Sequence, residues 1–181
     1  MTQRNRGLIL LAVQLVLVLS IVGKYVYERK VCPRVWVRTA QVDPGLPFRG
    51  KYLALRLAVD SCALPLGEKG FVRGIGPGGS GERSWRVRLE AKDGKLVAVL
   101  AGDDVRPELT EELTLWGNQS CDSATLRDPA DYFIGDRAKS PFPLRPKEEL
   151  WVEVTVPPSG PPRPIQLAIS GESGFRPLVV R

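Results

Sequence analysis

The sequence lacks histidine altogether and has a single methionine, Met1, among its 181 residues. Without histidine it can form neither a Ser-His-Asp nor a Cys-His nucleophilic site, and it has no histidine general base or metal ligand. Its three cysteines include no C-x-x-C pair, which leaves too few ligands for zinc. We therefore assign no catalytic, cofactor-binding or metal-binding residue from the sequence.

Few enzyme mechanisms remain after these exclusions. A hydrolase with a Ser–Lys pair, like the membrane-anchored signal peptidases, needs a nucleophilic serine in an S-M-x-P-like stretch, and the sequence contains none. Residues 74–79 match G-x-G-x-x-G, but no helix follows to bind a phosphate, so we interpret them as a hairpin loop. We predict a protein that is not an enzyme and keep the Ser/Lys hydrolase as an alternative.

Charge is unevenly distributed along the chain. The net charge is +6, and residues 1–30 account for +4 of it through five basic residues and one acidic residue. The remainder has no concentrated basic stripe, so we predict no nucleic-acid partner. Acidic residues are paired at 103–104, 111–112 and 148–149. Adjacent residues on a strand point to opposite faces, so such a pair could not act together as acid and base or bind one cation. We interpret these pairs as solvated loop charge.

One long apolar run stands near the start of the sequence. Residues 7–23 contain only Gln14 and Ser20 as polar residues, and continuing to Tyr27 gives the roughly 20 residues that a helix needs to cross a bilayer. We predict a tail at 1–6, a transmembrane signal-anchor helix at 7–27 that contacts the lipid bilayer, and a domain at 28–181. The alternative, a cleaved signal peptide, lacks an A-x-A-like site after the run.

The charges flanking this run give conflicting indications of orientation. Basic residues after the run favour a cytoplasmic C-terminus by simple counting, yet long C-terminal domains translocate largely regardless of flanking charge. A short basic N-terminus before the first apolar run is typical of a signal-anchor. We therefore predict a single-pass protein of the cell membrane with its C-terminal domain in the periplasm or outside the cell.

Beyond the apolar run the hydrophobic pattern has a period of two. Residues 84–92 alternate, with Trp85, Val87, Leu89 and Ala91 on one face, and Asp93-Gly94 then leads to 96–100, which predicts a β-hairpin. Residues 52–60 and 147–156 alternate in the same way. Weaker strands are predicted at 35–39, 112–116, 132–134, 165–169 and 178–180. We predict an all-β domain, either an antiparallel sandwich or a partly open barrel.

Two short motifs resemble those of the bacterial GDYXXLXY family of single-span membrane proteins. Residues 47–57 read PFRGKYLALRL after Asp43-Pro44, and residues 131–137 read DYFIGDR. Lys51 replaces the acid of the family motif, and Leu57 replaces its final tyrosine. The resemblance implies a membrane-anchored protein that accompanies a larger polytopic one, and we interpret the motif as structural, at Arg49, Gly50, Lys51, Tyr52, Leu55, Tyr132 and Phe133.

The sequence contains an odd number of cysteines, Cys32, Cys62 and Cys121. If the domain lies outside the cytoplasm, we expect Cys62 and Cys121 to form a disulfide, because each follows a serine at the edge of a strand-like run. Such a bond closes a loop of about 60 residues, worth roughly 4 kcal/mol. Two buried free thiols are the alternative.

The leading functional hypothesis is a non-enzymatic accessory or interaction protein that supports another membrane or envelope protein. The alternatives are the Ser/Lys hydrolase and a ligand-sensing β domain, for which a large apolar pocket in the core of the sheet would be the structural sign.

Overall fold

The computed structural model describes residues 3–42, 52–64, 71–75, 81–102, 105–116, 120–135, 144–172 and 174–178. They belong to two compact units, Met1–Cys32 and Pro33–Arg181. The first unit is a helix and the second is a β domain.

Helix α1 runs from Gln3 to Val31. Its apolar part, Gly7–Val31, has 25 residues with a mean hydropathy of 2.3 in its most apolar stretch, and none of that stretch is buried. At 1.5 Å per residue it is about 37 Å long, enough for a hydrocarbon core of roughly 30 Å. The apolar helix predicted at 7–27 is confirmed, and it extends to Val31 because the first helix-breaking residue is Pro33.

The described residues of the β domain form eleven strands, and every pairing between these strands is antiparallel. The strands are β1 (Arg34–Val42), β2 (Tyr52–Val59), β3 (Phe71–Ile75), β4 (Gly81–Lys92), β5 (Lys95–Leu100), β6 (Glu111–Trp116), β7 (Ala124–Leu126), β8 (Ala130–Phe133), β9 (Glu149–Thr155), β10 (Arg163–Gly171) and β11 (Gly174–Leu178).

These strands form one curled sheet in the order β11-β10-β9-β1-β2-β7-β6-β4-β3, with β5 paired to β4 and β8 paired to β2. Just after β2, Asp60 makes a parallel bridge to Val97 in β5. The Asp60 amide donates to the Leu96 carbonyl at 2.9 Å, and the Ala98 amide donates to the Asp60 carbonyl at 2.8 Å. This bridge closes a ring through β2, β7, β6, β4 and β5. The all-β prediction is confirmed, in the form of a curled half-barrel.

The β4–β5 hairpin follows directly from its turn residues. Asp93 and Gly94 have φ angles of 51° and 74°, the left-handed conformation that a two-residue type I′ turn requires at both positions. Lys92 therefore pairs with Lys95 across the turn, as the Asp-Gly signal predicts.

The core lies on the concave side of the sheet. Leu53, Leu55, Leu57 and Val59 of β2 are all buried, which confirms the face predicted for that strand. The largest side chains that are less than 2% exposed come from both ends of the sheet, and they include Leu55, Leu57, Leu113, Leu150 and Leu167. Aliphatic side chains thus fill the interior of the domain.

Three strands differ from the sequence prediction. The strand expected at 178–180 is displaced, because β11 is Gly174–Leu178 and residues 179–180 lie outside the described part. β3 was not predicted because its run is short and contains Gly74. β7 has only three residues, fewer than an alternating pattern needs to be visible.

Candidate functional site: an aromatic groove near the disulfide

The two parts of the family-like motif lie on adjacent strands. Tyr52 and Leu53 of β2 pair with Phe133 and Tyr132 of β8. Leu55 is fully buried, Tyr132 is half-buried against the core, and Phe133 is exposed. Residues 49–51, with Arg49, Gly50 and Lys51, lie outside the described part of the chain. Leu55 and Tyr132 thus pack in or against the core, whereas Phe133 does not.

A disulfide joins Cys62, just after β2, to Cys121 at the start of a short 3₁₀ helix, Cys121–Ser123. The two Cα atoms are 4.8 Å apart. Ser61 strengthens the same connection, because its amide donates to the Cys121 carbonyl at 2.9 Å and its hydroxyl donates to that carbonyl at 2.5 Å. Cys32 is a free, half-buried thiol.

Near this disulfide lies a cavity of about 270 Å³, which we call the aromatic groove. It lies on the convex side of the sheet, since Trp36 and Arg38 alternate with the buried Val35 and Val37 in β1. The described residues that line it are Trp36, Val37, Arg38, Ala58, Asp60, Lys95, Leu96, Asp122, Glu149 and Trp151.

Three aromatic rings cluster at the groove. Trp36 of β1 contacts Phe175 of β11 edge to face, with the ring centres 4.8 Å apart, and Trp151 of β9 lies 6.3 Å from the same ring. Strand register brings them together, because Arg38 pairs with Trp151 across β1 and β9. Phe175 is 49% exposed and both tryptophans are half-buried, so the cluster is accessible from solvent.

Charged side chains of both signs line the groove. Arg38 pairs with Glu149 at 3.4 Å, and Lys95 pairs with Asp60 at 3.6 Å. Asp122 is fully exposed and accepts a hydrogen bond from the Ser120 hydroxyl. That hydrogen bond is the largest cause that lowers the pKa of Asp122, and a hydrogen bond from its own backbone and the positive charges of Arg38 and Lys95 act in the same direction.

A larger cavity of about 900 Å³ lies where β4 meets the start of β6. Glu111 lines it half-buried, and burial followed by the negative charge of Asp128 raises its pKa. Its neighbour Glu112 accepts from Arg127 at 2.7 Å. Both glutamates lie in a strand, so the interpretation of this pair as loop charge is wrong. In the described ranges no group of three acidic or thiol side chains could hold a metal ion.

The groove was not predicted from the sequence, although the sequence contains a local signal for it. Trp36 and Trp151 occupy positions that the alternating pattern assigns to the solvent-facing side of their strands. A large aromatic residue at such a position is an exposed apolar feature that calls for an explanation. What the local pattern does not contain is the pairing of β1 with β9, which brings the two rings together.

The described lining of the groove contains no serine, threonine or cysteine. Elsewhere in the described ranges, the hydroxyls of Ser20, Ser61, Ser120 and Ser123 contact carbonyl groups, Asp122 or one another. The buried Ser84 hydroxyl has no hydrogen-bond partner. The described lining therefore offers mainly aromatic and charged side chains. Comparison with models of protein families, with curated proteins and with solved structures gives no match.

Proposed function

We propose that this protein is a membrane-anchored accessory protein whose β domain binds another membrane or envelope protein without catalysing a reaction. The observation that carries the proposal is the aromatic groove, where Trp36, Trp151 and Phe175 meet on the convex face of the sheet. Tryptophan and arginine are the residue types most enriched among energetically dominant interface contacts. Arg38 lines the same groove as Trp36 and Trp151.

Two further features support this proposal. The apolar helix Gly7–Val31 is compatible with a single-pass anchor that holds the domain at a membrane. The Cys62–Cys121 bond favours the outer side of that membrane, because disulfides persist in oxidising compartments. The resemblance to the GDYXXLXY family suggests a polytopic membrane protein as the partner.

A ligand-sensing domain is supported less well. Its expected sign was a large apolar pocket inside the sheet, whereas the two cavities described above have charged side chains in their lining. The core positions that could form such a pocket are filled by leucine and valine side chains.

In-membrane cross-linking tests the proposed function. A photo-reactive amino acid at Phe175, at the edge of the groove, is compared with the same amino acid at Glu90, which is exposed on β4. We expect position 175 to capture one membrane or envelope protein reproducibly and position 90 to capture much less of it. The variant Trp36→Ser should reduce the capture at 175 several-fold.

Equal capture at both positions would contradict a role for the groove. Repeated preparations that yield no protein adduct at position 175 would contradict the proposed function itself.

A further inference from the structure

The charges around the aromatic groove do not balance. Its described lining contains three carboxylates and two cations. Arg38 and Lys95 are each paired with one carboxylate, Glu149 and Asp60. Asp122 is the third carboxylate and makes no ion pair within the described ranges. The described lining therefore has three negative and two positive groups, a net charge of −1, with the exposed Asp122 outside the two ion pairs.

The aromatic side chains add to this preference for positive charge. The face of an indole ring carries negative electrostatic potential and attracts ammonium and guanidinium groups within about 6 Å. The indoles of Trp36 and Trp151 line the same cavity as Asp122. The contact of Phe175 with both indoles restricts their motion, so part of the site is ordered before anything binds.

The size of the groove limits what can enter it. A volume of about 270 Å³ is just below the range of roughly 300–1,000 Å³ that is typical of pockets for drug-sized molecules. It suits the end of one long side chain. Arginine fits this combination best among the cationic residues, because its planar guanidinium can stack on an aromatic ring while it donates two hydrogen bonds to a carboxylate.

We propose that the aromatic groove binds an arginine side chain of the partner protein, with the guanidinium held between the Asp122 carboxylate and the indole of Trp36. This inference rests on the proposed function, because it identifies the chemistry by which the partner is recognised.

The test uses the full chain in lipid nanodiscs and two small probes. N-acetyl-arginine methylamide carries the guanidinium, and N-acetyl-citrulline methylamide has nearly the same shape without the charge. Binding is followed by the NMR signals of the tryptophan indole N–H groups. We expect the arginine probe to shift the signals of Trp36 and Trp151, to bind at least fivefold more tightly than the citrulline probe, and to weaken with added salt.

Matched variants localise the effect. Asp122→Asn should weaken arginine binding about three- to fivefold, as expected for an exposed charge contact. Asp131→Asn, an exposed carboxylate of β8 outside the groove, should leave it unchanged. Because Asp122 is fully exposed, we expect the variant to remain folded, which thermal unfolding checks. Equal affinity for the two probes, or equal loss in the two variants, would overturn the inference.

The two proposals can fail separately. If cross-linking at position 175 captures a membrane protein but the arginine probe does not bind, only the choice of arginine is wrong. If the arginine probe binds with the expected dependence on Asp122 but no protein is captured, the proposed function is wrong. Binding of an N-acetylglucosamine oligomer in place of the arginine probe would overturn the inference in favour of a glycan ligand.

Discussion

Glu111 is the described carboxyl group whose environment most disfavours its charge. Its pKa is raised first by burial and then by Asp128. The folded state therefore binds a proton more tightly than the unfolded state does, so the contribution of Glu111 to stability is complete below the ordinary value of 4.5 and is lost as the pH rises through the folded-state pKa.

Replacing this residue should change the pH dependence of unfolding. We expect the stability of Glu111→Gln, relative to the natural protein, to increase between pH 4 and pH 7, because the variant has no buried charge to form. Urea unfolding at a series of pH values measures the difference. A difference that stays constant with pH would contradict the destabilisation of the charged form.

Leu55 shows how much one core residue contributes to the fold. Its side chain is fully buried in β2. Leu55→Ala should lower the free energy of unfolding by about 2–5 kcal/mol, through lost burial and a new cavity. Leu109→Ala is the control, since that side chain is 40% exposed and its loss should cost under about 1 kcal/mol. Equal effects would contradict the placement of the core.

At the scale of single elements, the sequence predicts long regular segments well. The apolar helix and strands β2, β4 and β9 have clear periods over six or more residues, and Asp93-Gly94 predicts the hairpin that leads from β4 to the apolar run of β5. Where the period is interrupted, by Gly74 in β3 or Pro177 in β11, the strand was missed or displaced. Local propensity and strand pairing disagree at these places, and pairing determines the structure.

The candidate site could not be predicted from local sequence patterns, because its residues come together only through strand pairing. Each tryptophan of the groove is visible in its own strand, but their proximity requires β1 to pair with β9 in a particular register. Asp122 enters the groove through a 3₁₀ helix beside Cys121. The cysteine pair was accessible to sequence reasoning because few pairings exist among three thiols.

The Cys62–Cys121 bond connects two elements and has a stability effect of its own. The double variant Cys62→Ser/Cys121→Ser should be less stable by about 4 kcal/mol, because the unfolded chain is no longer restricted by a loop of this length. Cys32→Ser, which removes the free thiol, is the control and should change stability little. Urea unfolding under non-reducing conditions measures both, and equal stability of the double variant and the control would contradict the bond.

At the scale of the whole molecule, we expect the β domain to lie on the outer side of the membrane. We expect the variant Glu90→Cys, in a Cys32→Ser background, to react with a membrane-impermeant maleimide in cells whose outer envelope is permeabilised and whose cytoplasmic membrane is intact. The variant Gln3→Cys, which lies before the apolar part of α1, should react only after lysis. The reverse pattern would place the β domain in the cytoplasm.

The pairing of β1 with both β2 and β9 also determines when the domain can complete its folding during synthesis. Residues 34–39 of β1 pair with residues 150–155 of β9, so one edge of β1 has no partner until synthesis has passed position 155. Contacts of such long range make folding slow. Throughout most of translation the growing chain therefore carries an open strand edge, and a chaperone that covers such edges would protect it from aggregation.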